Sequence, residues 1–194
     1  MHRVIMGEKD KMTRLDRNIS EPLVQQARKG DREAFSRLVR LMMNRTVALT
    51  YRMTGDREAA KDLAQDSFVA AWQSLKDFRE DAPFDSWLLK IAHNKALNHI
   101  ATAKRKNHAQ TEIKTRAEAI NDDNLAKSAR EKLLESILTF VDHLPPMQKS
   151  VFELRYYQNM PFAEIAEVTG KALGTVKTHY REAVAKLRTH AQQE

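Results

Sequence analysis

PFAEIAEVTGKALGTVKTHYREAVAKLR, residues 161–188, is the stretch of sequence that decides the fold. Ile165 and Ala166 lie on the inner face of a first amphipathic segment, and the small Ala166 lets a second helix pack closely. Gly170, four residues further on, suits a turn that needs a positive φ. Apolar side chains then recur at the 3.6-residue spacing of a helix: Val176, Tyr180, Ala183, Val184 and Leu187. The pattern predicts a helix-turn-helix.

The outer face of the second helix is basic. Residues 171–190 contain five Lys or Arg and one acidic residue. Such a face suits insertion into the major groove of DNA. The residues that we expect to contact duplex DNA are Thr175, Lys177, Thr178, His179 and Arg181. The alternative is a helical hairpin whose charged face is merely solvated, and the agreement between the Ala-to-Gly spacing and the basic face disfavours it.

The composition is that of a basic, helical protein. The 194 residues include 33 Lys or Arg against 26 Asp or Glu, for a formal charge of +7, with only 5 Gly and 5 Pro. The basic excess suits a polyanionic partner. The absence of cysteine excludes disulfides and cysteine-based zinc sites. No signal-peptide core or membrane-spanning stretch is evident, so we expect a cytoplasmic protein.

Hydrophobic periodicity divides the chain into two small helical domains joined by a flexible linker, so the predicted fold class is all-α. We expect a mobile tail over residues 1–19 and a first domain over 20–106. The polar stretch 107–130 reads as the linker, and the helix-turn-helix domain follows over 131–194. No strand pattern is present in the sequence.

The string Gly-Asp-Arg-Glu-Ala occurs at 30–34 and again at 55–59. We interpret both copies as a glycine that ends one helix and an aspartate that caps the next. Ser20 is the predicted cap of the first helix. The later helices are expected at Arg32–Thr54, Arg57–Lys76, Asp85–Lys104, 161–169 and 173–190. Tyr51 and Tyr156 are among the predicted core residues.

Two groups of side chains in the first domain suggest binding surfaces. Asp62, Gln65 and Asp66 share a helix face that could dock a basic partner, although such a face is often only solvated. Aromatic and basic residues around the end of the third helix and along the fourth suit single-stranded nucleic acid, whose bases stack and whose phosphates need neutralising. This second group is Phe78, Arg79, Lys90, Asn94, Asn98, Lys104 and Arg105. Phe84 and Trp87 read as core.

Three segments together resemble the extracytoplasmic-function (ECF, group 4) sigma factors of the sigma-70 family. AAKDLAQDSFVAAWQSLKDF (59–78) looks like part of conserved region two, and FDSWLLKIAHNKALNH (84–99) looks like the segment that follows it. FAEIAEVTGKALGTVKTHYREAVAKLR (162–188) is similar to region four. The resemblance covers about residues 20–190, and the order of the three segments makes it specific.

The resemblance implies an alternative RNA polymerase sigma factor that directs promoter recognition, DNA melting and initiation. Asp62, Gln65 and Asp66 match positions that bind the coiled coil of the largest catalytic subunit. The loop at 76–84 and the face of helix four match the part that captures the melted minus-10 element, with a base flipped into a pocket. Region four would read the minus-35 duplex.

The resemblance also implies an anti-sigma partner, possibly membrane-linked, and a role in a stress or envelope response. No catalytic residue, cofactor, metal or small-molecule substrate is expected. Asn98 and Ala101 stand where the family often has Asp and Arg, and Ala172 and His179 depart from its recognition helix, so the promoter preference is not inherited. The alternative hypothesis is a DNA-binding regulator whose first domain senses a ligand or dimerises. A hydrolase or nuclease lacks support, because nothing completes a metal site around the carboxylates at 62 and 66.

Overall fold

A computed structural model describes residues 19–109 and 139–192 of the chain. All regular structure within these two ranges is helical, and the predicted all-α fold of two helical units is confirmed. We call residues 19–109 the first unit and residues 139–192 the second unit. The predicted tail, apart from residue 19, and the predicted linker beyond residue 109 lie outside the described residues. Within the described ranges, no helix is both long and apolar enough to cross a membrane.

The first unit contains four α-helices and one short 3₁₀ turn. Their bounds are 19–28 (α1), Arg32–Thr54 (α2), Arg57–Ser74 (α3), Leu75–Asp77 (the 3₁₀ turn) and Phe84–Ala109 (α4). Both copies of the repeated Gly-Asp string act as predicted. Gly30 and Gly55 have φ values of 97° and 69°, and the carboxylates of Asp31 and Asp56 each accept hydrogen bonds from two backbone N–H groups of the following helix.

Three details of the first unit differ from the sequence prediction. Ser20 is already helical and buried, so it is not the cap of α1. Helix α4 continues past Lys104 to Ala109, because no helix-stopping residue intervenes. Tyr51 is 48% exposed rather than in the core. It follows the buried Leu49 by two residues, which places it about 200° around the helix from that side chain.

The core of the first unit lies between α1, α2, α3 and α4. Leu38 and Met42 of α2 pack with Phe68 of α3 and Leu88 of α4. Thr50 is fully buried, and its hydroxyl lies 2.8 Å from the Ala60 carbonyl oxygen of α3, to which it can donate. This contact joins the end of α2 to the start of α3. It helps to set the orientation of α3, and therefore the direction in which its outer face points.

The second unit contains helical residues 139–141 (α5) and three further α-helices. Their bounds are Pro146–Phe152 (α6), Phe162–Thr169 (α7) and Leu173–Ala191 (α8), with a π-helical turn at Glu153–Tyr157 after α6. Gly170 has a φ of 64° and forms the predicted turn between α7 and α8. Tyr156 is 46% exposed, so its assignment to the core is wrong. The wider π turn displaces it from the α-helical spacing on which that assignment relied.

Candidate nucleic-acid interface

The outer face of α3 carries Asp62, Gln65 and Asp66, and all three are exposed. Their spacings of three and four residues place them on one side of the helix. The opposite side is anchored by Ala60, Ala64 and Phe68, which are buried and hold α3 against α2 and α4. The result is a rigid, acidic and polar surface.

An apolar cavity of about 330 Å³ lies further along α3. Its lining residues are Arg32, Phe35, Phe68, Val69, Trp72 and Gln73. Val69 is 56% exposed at the rim of this cavity. Sequence reasoning missed this cavity, since Phe35, Phe68 and Trp72 all read as ordinary core residues.

The predicted strand-capture loop at 76–84 is held in place by aromatic packing. Phe78 is only 5% exposed, and its ring centroid lies 6.0 Å from that of Phe84 and 4.8 Å from that of Trp87. As placed, Phe78 supports the loop from inside and does not offer a free ring for base stacking. Arg79 is exposed, and Glu80 bonds to Arg28 of α1, which ties the loop to the body of the unit.

The predicted strand-binding residues of α4 share one side of that helix. At 100° per residue, the five positions fall within an arc of about 120°. They are Lys90, Asn94, Asn98, Lys104 and Arg105, of which Lys90 is partly buried and the others are exposed. This basic and amide-bearing stripe leads away from the loop and could follow a phosphate backbone.

The loop, α4 and α7 enclose a cavity of about 270 Å³. Arg79, Trp87 and Lys90 of the first unit line it on one side. Glu167 and Val168 of the second unit line it on the other. Of the predicted strand-capture residues, Phe78, Arg79 and Lys90 line this cavity, whereas Asn94, Asn98, Lys104 and Arg105 lie further along α4 and do not.

The predicted duplex-reading residues of α8 do not all point the same way. Thr175, Lys177 and Arg181 are exposed. The hydroxyl of Thr178 donates to the Gly174 carbonyl, 3.0 Å away. His179 is partly buried, and its Nδ1 atom lies 3.8 Å from a carboxylate oxygen of Glu182, one helical turn further along. Its ring is therefore directed toward Glu182 and not away from the helix.

Arg188 extends the basic face of α8. It is exposed and lies seven residues after Arg181, so both side chains leave the same side of the helix. The buried residues Val176, Ala183 and Leu187 lie about 120° around the helix from these side chains and pack inward. Lys177, Arg181 and Arg188 thus form one basic ridge.

A set of polar contacts between the two units could not be predicted from the sequence. The Nε atom of Arg45 donates to the Gln158 side-chain oxygen at 2.9 Å. The Nε atom of Arg52 lies 3.4 Å from a carboxylate oxygen of Glu153, which is 2% exposed. Burial raises the pKa of Glu153 to about 7, although the nearby charges of Arg52 and Lys149 act to lower it. These residues are far apart in sequence, and no local motif marks them.

The two helical units, the second with a helix-turn-helix, define a DNA-binding transcription factor. The family models for Sigma-70 region 2 and for Sigma-70, region 4 match residues 38–106 and 134–187. The chain belongs to the sigma-70 family, and within that family it is an RNA polymerase sigma factor of the ECF type.

Curated relatives and solved structures agree with this assignment. The chain is 28% identical to the RNA polymerase sigma-H factor of Pseudomonas aeruginosa over 86% of this chain and 92% of that protein. It is 29% identical to the ECF RNA polymerase sigma factor SigW of Bacillus subtilis, over 84% and 93% of the two chains. CnrH, solved in complex with the cytosolic domain of CnrY, is similar with a TM-score of 0.65 and 26% identity, over 91% of this chain and 99% of that chain.

The fold is also shared with a more distant structure. The sigma factor RpoE of Bartonella quintana, solved in complex with the anti-sigma factor NepR, gives a TM-score of 0.68 at 18% identity. The match covers 81% of this chain and 96% of that chain. It supports the two-unit helical architecture.

Proposed function

We propose that this sigma factor binds core RNA polymerase through the outer face of α3, captures the melted minus-10 strand with the loop at 76–84 and the stripe of α4, and reads the minus-35 duplex with α8. It contributes binding and promoter specificity, not catalytic chemistry, and acts in the cytoplasm where transcription takes place. No cofactor or metal is needed for any of these roles.

The observation that carries this proposal is the charge contrast between exposed helix faces. Asp62 and Asp66 make the face of α3 acidic, which suits a basic protein surface and repels DNA. Lys177 and Arg181 make the face of α8 basic, which suits the phosphates and base edges of a duplex. The stripe of α4 carries lysine, arginine and asparagine beside a loop cavity, which suits a single strand.

We propose further that an anti-sigma factor controls the protein. CnrH, which is similar over almost the whole chain, was solved bound to the cytosolic domain of CnrY. A partner of this kind, linked to the membrane, would couple this sigma factor to a stress or envelope signal. The apolar cavity beside Val69 and Trp72, next to the acidic face of α3, offers such a partner an anchor point.

Asp66→Lys tests the docking assignment. The substitution places a positive charge within the acidic face, and we expect it to abolish binding to core RNA polymerase in a co-purification assay. Circular dichroism should show the same helix content, since Asp66 is exposed. Glu21→Lys, an equal charge change at an exposed position of α1, is the control and should bind normally. Normal core binding by Asp66→Lys would show that α3 is not the docking face.

A further inference from the structure

The strand-capture loop at 76–84 has open space on both of its sides. Glu80, Asp81 and Ala82 line the cavity of about 270 Å³ that faces α4. The same three residues also line a second cavity of about 550 Å³, which lies between the loop and α1. A segment with open space on two sides has few packing contacts that could fix its shape. Something other than core packing has to hold this part of the loop in place.

The two ends of the loop are anchored by aromatic side chains. Phe78 and Phe84 are each 5% exposed and belong to the core cluster of the first unit. Their ring centroids lie 6.0 Å apart. Residues 79–82 lie between these anchors, and they include Arg79, which lines the cavity that faces α4. The shape of this short span decides where the Arg79 guanidinium stands.

The backbone of Glu80 adopts the left-handed conformation, with a φ of 62°. This conformation is unfavourable for a residue with a Cβ atom, because it brings that atom too close to the following carbonyl oxygen. It persists where the surrounding structure holds the residue in several ways at once. Glu80 is exposed, so burial of its side chain does not supply that stabilisation. The hydrogen bonds of its side chain are the remaining source.

The carboxylate of Glu80 binds two donors on α1. The Nε2 atom of Gln25 donates to its Oε1 atom at 2.9 Å, and the guanidinium of Arg28 donates to the same oxygen and forms an ion pair with it. Gln25 and Arg28 are three residues apart, so they project from one side of α1. Helix α1 is itself fixed in the core through Leu23 and Ala27. We call Gln25, Arg28 and Glu80 the loop clamp.

The loop clamp also balances charge. The loop at 76–84 carries three carboxylates and only two cationic side chains, and excess negative charge opposes the approach of a phosphate backbone. The ion pair with Arg28 compensates the charge of Glu80 and holds its carboxylate against α1. Arg79 meanwhile lines the cavity on the α4 side, beside Lys90. The clamp therefore keeps a carboxylate and a guanidinium of adjacent residues in separate places.

We propose that Glu80 is a positioning residue for capture of the melted minus-10 strand: together with Gln25 and Arg28, it holds the loop in the shape that directs Arg79 to the strand. The proposal rests on the proposed function in assigning this loop to strand capture. Without the clamp, each strand that binds would first have to order the loop, and that ordering costs binding free energy. With the clamp, the loop is ordered before any DNA arrives.

A spin label on the loop tests the clamp in the full-length chain, without DNA or polymerase. The chain has no cysteine, so Asp81→Cys gives a single labelling site at an exposed position. Adding Arg28→Ala should narrow the electron paramagnetic resonance spectrum, because the released loop moves on the nanosecond timescale. Adding Arg40→Ala, which breaks an exposed ion pair to Glu33 within α2, is the matched control and should leave the spectrum unchanged. Equal spectra with and without Arg28→Ala overturn the proposal.

The rate of promoter opening tests the functional consequence. Holoenzyme is reconstituted with core polymerase and mixed with a genomic fragment that the wild type transcribes, and the reactivity of melted thymines toward permanganate is followed over time. Arg28→Ala and Glu80→Ala should each slow opening at least about threefold. Glu80→Gln should open at close to the wild-type rate, because its amide oxygen still accepts both hydrogen bonds. Helix content and co-purification with core polymerase should stay the same in all three variants, which separates an effect on the loop from unfolding.

The double variant R28A/E80A separates positioning from direct contact with DNA. If both residues act through the clamp, the double variant opens the promoter no more slowly than the slower single variant. A further loss in the double variant overturns the proposal, because Arg28 would then contact DNA itself. Opening by Glu80→Ala at or above the wild-type rate also overturns it, since Glu80 would then only repel the strand. Both results leave the proposed function standing, whereas a wild type that binds core polymerase and opens no promoter would overturn that function as well.

Discussion

Helices in the two units begin in different ways. In the first unit, α2 and α3 start at Asp31 and Asp56, whose carboxylates accept hydrogen bonds from first-turn N–H groups. In the second unit, α6, α7 and α8 start at Pro145, Pro161 and Ala172, and none of these makes a side-chain cap. A cap satisfies the free N–H groups within the protein, whereas an uncapped start leaves them to solvent or to a phosphate. The first-turn N–H groups of α2 and α3 are therefore satisfied within the protein, whereas those of α8 have no side-chain cap and, under the proposed function, could bind a DNA phosphate.

The units also bury polar groups differently. The first unit buries Thr46 and Thr50, whose hydroxyls lie 2.9 and 3.1 Å from carbonyl oxygens one turn earlier. The second unit buries the carboxyl group of Glu153, close to Arg52 of the first. A bonded hydroxyl is inexpensive to bury, whereas an ionised carboxylate is costly unless paired. Each unit also buries a titratable group, and the two groups respond to pH in different ranges: burial lowers the pKa of His93 in the first unit to about 4 and raises that of Glu153 in the second to about 7.

The largest expected effect concerns Glu153. Burial raises its pKa from 4.5 to about 7, so the folded protein holds a proton that the unfolded chain releases. The stability contributed by that proton is complete below pH 4.5 and is lost as the pH rises through 7. Glu153→Gln should remove this dependence. We expect the free energies of unfolding of wild type and variant to diverge by up to about 3 kcal/mol between pH 5 and pH 8.

Urea unfolding at a series of pH values measures this difference. His93, whose pKa burial lowers to about 4, is present in both proteins and cancels in the comparison. Glu21→Gln, the same substitution at an exposed position of α1, is the control. If the curves of unfolding free energy against pH run parallel for wild type and Glu153→Gln, burial of Glu153 does not make the stability of the protein depend on pH.

The next effect concerns the basic ridge of α8. Arg181→Ala should weaken binding of the holoenzyme to its minus-35 duplex by about 1–3 kcal/mol if the guanidinium reads a base. Arg188→Ala, two turns further along, should weaken binding to all duplexes alike, as loss of a phosphate contact does. Competition binding with specific and unrelated duplexes separates the two. Equal losses for Arg181→Ala on every duplex would reclassify that residue as a phosphate contact.

The smallest effects test the helix starts directly. Asp56→Ala should destabilise the protein by about 1 kcal/mol, because two N–H groups of α3 lose their acceptor. Ala172→Ser should stabilise it by at most about 1 kcal/mol by adding a cap to α8. Asp81→Ala, at an exposed position of the loop, should leave the thermal midpoint unchanged. If Ala172→Ser destabilises the protein, packing around residue 172 requires a side chain as small and apolar as alanine.

Much of the fold could be predicted from local signals. The Gly30-Asp31 pair marks the start of α2, and the Gly55-Asp56 pair marks its end and the start of α3. The turn at Gly170 follows from the spacing between this glycine and Ala166. The end of α4 could not be located, because the residues after Lys104 are neither helix-stopping nor apolar. The π turn at Glu153–Tyr157 leaves no signature in sequence, and it explains why Tyr156 is exposed instead of buried.

The candidate site was only partly predictable, for a different reason. Exposure of Asp62, Asp66 and Arg181 follows from helical periodicity alone. Burial of Phe78 depends on how the loop folds back onto Phe84 and Trp87, which no local pattern fixes. The link between Arg45 and Gln158 joins residues 113 positions apart, so it becomes visible only once the two units are placed together.

Run-off transcription with reconstituted holoenzyme tests the central claim most directly. The protein is mixed with core RNA polymerase and a library of genomic fragments, and the transcripts are mapped. We predict a small set of transcripts that share upstream sequences, that require this protein, and that disappear with Asp66→Lys but not with Glu21→Lys. Failure to bind core polymerase, together with no promoter-dependent transcript, would contradict the account and favour a DNA-binding regulator that acts without the polymerase.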